Sequence, residues 1–142
     1  MSVPPRSTPV VTADPSFSPD GLAQAVHGRV LRPGARQIRG GAVDSRRVSP
    51  GVCFFALPGE HTDGHLFLAA AAAAGAAALV VSRRPTDAAV AEIEREAAVH
   101  GGAPAIVLVP DGLAALQHAA AAWRGRFQPV VVGVTGSLAK TS

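Results

Sequence analysis

The chain has 142 residues, 48% of them hydrophobic and 16% charged, enough apolar material for one ordinary domain with a packed core and too much for a disordered protein. Its formal charge of +3 comes from twelve arginines scattered along the chain and a single lysine. With no block of like charge and no interleaved aromatics, this pattern argues against a nucleic-acid surface.

The N-terminal stretch MSVPPRSTPVVTADPSFS is rich in Pro, Ser and Thr and lacks the apolar segment of a signal peptide. It predicts a disordered tail over residues 1–17 on a cytoplasmic protein. Ser18-Pro19 has the form of an N-cap followed by proline at the first helical position, so SPDGLAQAVHG opens a short helix that closes near Gly28. An irregular Arg/Pro/Gly stretch follows. Two short strands are then expected, around Ala42 to Asp44 and Val52 to Leu57, joined by a turn at Ser49-Pro50-Gly51. Cys53 lies in the second, within VCFFAL, and reads as a buried, inert thiol; as the sole cysteine it permits no internal disulfide.

The loops DSRRV and PGEHTDGH leave the ends of these strands. Thr62 or Asp63 can cap a helix through the alanines that Gly75 stops, and AALVVS follows as a strand. The apolar run from Leu66 to Val81 is shorter than the roughly 20 residues of a membrane span, so a helix and a buried strand explain it. TDAAVAEIEREAAVHGG then reads as a helix, PAIVLVP as a strand, DGLAALQHAAAAWRGRF as a helix and PVVVGVTG as a strand. This alternation predicts an α/β fold with a mixed or largely parallel sheet over residues 18–110. A connecting helix over 111–128 would lead to a second domain beginning at residue 129.

The chain ends on VVVGVTGSLAKTS. A strand running into a glycine-containing turn and a helix start binds phosphate through converging backbone N–H groups. A lysine then reaches the outer phosphates, and a following hydroxyl ligates Mg²⁺. Lys140 and Thr141 fill these places within Gly136, Ser137, Leu138, Ala139, Lys140, Thr141 and Ser142, after a strand at Val130 to Val134. The general pattern has glycines where this chain has Val134 and Ala139. Lys140 is nevertheless the only lysine in a chain that otherwise uses arginine, and it stands where phosphate-loop chemistry wants a compact ammonium.

Taken together, D-S-R followed by V-S-P-G and F-F-A-L-P-G, the D-G-H before an alanine-rich helix, ALQHAAAAWRGRF and T-G-S-L-A-K-T-S resemble the Mur ligase family, the ATP-dependent amide-forming enzymes of peptidoglycan synthesis. The resemblance covers residues 18–142. It implies a small mixed-sheet domain that binds a UDP-N-acetylmuramoyl peptide, followed by the first strand and phosphate loop of a truncated P-loop ATPase domain. Such enzymes use ATP and Mg²⁺ to make an acyl phosphate that an amine displaces. Lys140 would be the catalytic lysine, Gly136 to Ser142 the ATP loop and Thr141 the Mg²⁺ ligand.

The helix before the last strand looks most like that of the member that adds D-alanyl-D-alanine to the tripeptide. The sibling that adds a diamino acid to the dipeptide stays open, as does a stand-alone ligand-binding module without enzymatic descent. On the family reading the chain acts as a monomer and is catalytically silent alone.

The same resemblance implies that Ser45, Glu60, His61 and Thr62 contact the uridine end, that backbone near Val43 closes the pocket and that Arg46 faces a phosphate. Asp44 reads instead as a structural residue bonding backbone N–H groups of its own loop, and Asp63 as an N-cap. His61, Asp63 and His65 are also acceptable metal ligands, but they straddle a loop and a helix start with no further ligand cluster beside them.

Overall fold

The computed structural model describes residues 16–59 and 61–124. Residues 16–119 form one compact unit, and residues 120–124 group with a second. Helix α1 (Pro19–Ala25) starts as its sequence directs: Ser18 is extended, Pro19 occupies the first turn, and the Ser18 hydroxyl accepts from the Gly21 N–H at 3.0 Å. It ends in paired bonds from Gly28 N to Ala23 O and from His27 N to Gln24 O, the Schellman pattern. The left-handed residue there is His27, at φ 58°. Gly28 serves close approach instead, since a Cβ on it would fall 2.6 Å from Val107 Cγ1. Phe17, at the edge of the expected tail, is buried and forms a bridge with Ile38.

Five strands follow: β1 (Arg29–Arg32), β2 (Gly40–Ala42), β3 (Val52–Phe55), β4 (Ala78–Val81) and β5 (Ala105–Leu108). They lie in the order β1-β5-β4-β3-β2, parallel except for β1, which runs antiparallel to β5. The mixed α/β sheet is thus the expected one, with two differences. The Arg/Pro/Gly stretch supplies β1, which the irregular reading missed. Strand β2 lies two residues earlier than expected, because Asp44 caps a 3-10 turn, Ser45–Arg47, instead of continuing the strand.

Between the parallel strands run α2 (Leu68–Ala73), preceded by a 3-10 turn at Gly64–Phe67, and α3 (Asp87–Ala97), capped by Thr86. Right-handed crossovers between neighbouring parallel strands place both on one face. There Ala71 and Ala72 of α2 and Ile93 and Ala97 of α3 close over Leu79, Val81 and Ile106. Alanine lets α2 approach closely, and Gly75 ends this segment at φ 104°. Every residue of β4 is buried, as expected for a central parallel strand covered on both sides. Residues 112–124 form a further helix, α4, at whose start Asp111 accepts from the N–H groups of Leu113 and Ala114. Among the described residues no helix is long and apolar enough to cross a membrane.

Candidate functional site

Parallel strands deliver their following loops to one edge of the sheet, where α/β folds place ligands. At that edge the loops after β2 and β3 enclose a cleft of about 540 Å³, within the roughly 300–1,000 Å³ of small-molecule sites. Val43, Asp44, Ser45 and Arg46 line one side, while Leu57, Pro58, Gly59, Thr62, Gly64 and Phe67 line the other, over Phe54.

The first loop is shaped by Asp44. One carboxylate oxygen accepts from the Arg46 N–H at 3.0 Å and from Arg46 Nε at 3.0 Å, and the other accepts from Arg46 Nη2 at 2.9 Å. These bonds, the side-chain ones foremost, hold the Asp44 carboxyl down to about 2. The Asx role expected of Asp44 is therefore present, with an ion pair added. Arg46 is 87% exposed at its side chain, so the pair forms at the mouth of the cleft rather than inside it.

The second loop is closed by a bridge between Pro58 and Asp63 and by the Gly64 N–H donating to Leu57 O at 2.8 Å. Two glycines are required by this closure. A Cβ on Gly59 would lie 2.5 Å from Thr62 O, and one on Gly64 would lie 2.7 Å from Leu57 N. Asp63 caps the turn, accepting from the His65 N–H at 2.9 Å and contacting His65 Nδ1 at 2.8 Å. Its other oxygen pairs with Arg83 Nη2 at 2.7 Å. The His65 bonds, backbone first, and then Arg83 hold the Asp63 carboxyl well below the usual carboxylate range. On the far side of the ring, the Ser82 N–H donates to His65 Nε2 at 3.0 Å. Both His65 nitrogens are thereby engaged within the protein, which leaves neither to ligate a metal in this arrangement.

Of the residues expected at a uridine site, Val43, Ser45, Arg46 and Thr62 line the one cleft. His61 is exposed and does not line it. Glu60 and the phosphate-loop residues Gly136 to Ser142, including Lys140 and Thr141, lie outside the described residues. The expectation overlooked Phe67, whose position after D-G-H-L was the available signal, and the strut formed by His65. Cys53 is wholly buried, and burial pushes its thiol far up, out of the reactive range.

The family model described as Mur ligase family, catalytic domain, matches residues 37–124. The chain belongs to the Mur ligase family. The matched span contains both cleft loops and stops before the phosphate-loop motif. UDP-N-acetylmuramoyl-tripeptide–D-alanyl-D-alanine ligase of Synechocystis sp. is 42% identical over 99 residues, which is 70% of this chain and 19% of that protein. UDP-N-acetylmuramoyl-L-alanyl-D-glutamate–2,6-diaminopimelate ligase of Syntrophomonas wolfei is 38% identical over 109 residues, 75% of this chain and 20% of that protein. Among solved structures, MurF from Acinetobacter baumannii superposes with a TM-score of 0.60 at 28% identity, covering 78% of this chain and 22% of that one. This Mur ligase chain therefore spans about a fifth of the length of the relatives it matches.

Proposed function

We propose that this chain is the substrate-binding N-terminal part, residues 18–110, of an ATP-dependent ligase of peptidoglycan synthesis that joins D-alanyl-D-alanine to UDP-N-acetylmuramoyl-tripeptide. The observation that carries the reading is the cleft itself. The two segments with the most specific family resemblance, D-S-R and G-E-H-T-D-G-H, meet across one cavity at the C-terminal edge of the parallel strands. Short polar groups, loop backbone and an apolar floor suit a nucleobase with a charged tail. Ser45 and Thr62 would bond the uridine end beside Val43, with Glu60 and His61 completing the loop. Arg46 would meet the diphosphate by exchanging the Asp44 carboxylate for phosphate oxygens, since both are anionic acceptors that a guanidinium can hold with two parallel bonds.

Residues 111–128 would connect this part to the ATPase domain. There Lys140 would neutralise transferring phosphate charge within the Gly136 to Ser142 loop, and Thr141 would hold Mg²⁺; the metal would supply further charge stabilisation to the phosphoryl group. These 142 residues span about a fifth of the relatives' length, and the part of the reaction proposed for them is to bind substrate and not to turn over ATP.

Calorimetric titration with UDP-N-acetylmuramoyl-tripeptide should show binding by residues 18–110, and an absence of heat at millimolar ligand would remove the binding claim. ATP hydrolysis by the same 142-residue chain would remove the claim of silence. The similarity to the diaminopimelate ligase supports a second reading, the sibling reaction on the dipeptide. In the complete enzyme, amide formation with D-alanyl-D-alanine or with the diamino acid separates the two.

A further inference from the structure

We propose that His65 is a positioning residue for the cleft: as a neutral imidazole protonated on Nδ1, it ties the 58–64 loop to the end of β4 in the shape that receives a nucleoside diphosphate. The inference rests on the reading of the cleft as a UDP site.

The tautomer follows from the partners. A backbone N–H can only donate, so the Nε2 that meets Ser82 N at 3.0 Å must carry a lone pair. An ionised carboxylate can only accept, so the Nδ1 that meets Asp63 Oδ1 at 2.8 Å carries the hydrogen. The ring is 5% exposed, and no water layer substitutes for either bond. One side chain thus spans from the turn that closes the cleft loop to the residue that follows β4. Asp63 adds a second tie through Arg83, so Asp63 and His65, two residues apart in the turn, hold the adjacent Ser82 and Arg83 just past the strand end. Pro58, Gly59, Thr62 and Gly64 all line the cleft from this loop, and its placement sets the width of the cavity.

The test is titration of the chain with UDP at one fixed pH, using wild type, His65→Gln and His65→Ala. Glutamine offers a carbonyl acceptor and an amide donor in place of the two ring nitrogens. The alanine variant should bind about tenfold more weakly than wild type, the loss expected for one buried hydrogen bond left unmade, and the glutamine variant should recover most of that loss. Equal affinities of wild type and the alanine variant would overturn the proposal. If wild type does not bind UDP, the reading of the cleft fails. His65 is then decided by amide hydrogen exchange at Gly64 and Ser82 in wild type and the alanine variant, as it is if the glutamine variant binds no better than alanine. Faster exchange at both amides in the alanine variant sustains the strut, and unchanged protection refutes it.

Discussion

Asp44 and Asp63 perform one task on successive loops: each follows a strand and turns its carboxylate back onto the N–H two residues on. Both also gain a cation, Arg46 in one case and Arg83 in the other. The backbone role was legible in sequence, because an aspartate ahead of a short turn has few better partners than its own amides. The cation partners were only half legible. Arg46 is two residues from Asp44, but Arg83 reaches Asp63 from the bend that follows β4. The pH consequence has a definite sign. A carboxyl depressed in the folded state stabilises above its unfolded value and loses that contribution as pH falls. For Asp44 the window runs from 3.8 down to about 2, and for Asp63 it extends lower. The thermal midpoint should therefore fall steadily with pH below about 4, and Asp44→Asn with Asp63→Asn should flatten that fall. An unchanged acid slope in the double variant would contradict the assignment.

At the scale of elements, the helices announce themselves through their caps and the loops through their glycines. Ser18-Pro19 and Thr86-Asp87 start α1 and α3 as local chemistry requires, each with a hydroxyl accepting from a backbone N–H three residues on. Strand β1 was illegible for a physical reason: Arg29–Arg32 holds only two apolar residues between arginines, and its pairing partner β5 lies more than seventy positions later. The glycines separate by what surrounds them. Gly64→Ala would drive a Cβ to 2.7 Å from Leu57 N and 3.0 Å from Ala56 Cα, both backbone atoms that cannot move independently. It should destabilise by about 1–3 kcal/mol and weaken any cleft ligand. Gly40→Ala meets only Val52 Cγ2, at 3.8 Å, and should be neutral or stabilising by about 0.5 kcal/mol. Chemical denaturation of the pair checks the contrast, and equal midpoints would show that the loop closure is looser than its geometry.

Across the whole molecule, β4 is the axis on which the core is hung. Leu79 is fully buried against the α2/α3 face, so Leu79→Ala should cost about 2–5 kcal/mol by urea unfolding, while Leu66→Ala, at a side chain 72% exposed, should stay within about 0.5 kcal/mol. Comparable losses at the two positions would mean that the sheet is not the stabilising centre. The sequence by itself determined the alternation of helix and strand, the two polar loops and the family they belong to. Those features rest on interactions spanning a few residues: caps, apolar periodicity and glycines at turns. Only the tertiary structure decided that the loops after β2 and β3 face one another across a cavity, that the Arg46 guanidinium pairs with Asp44 at the rim, and that His61 does not line the cleft while His65 accepts a bond from Ser82. The facing loops and the His65–Ser82 bond depend on parallel strand pairing, which joins residues far apart in the chain and leaves no local mark on them.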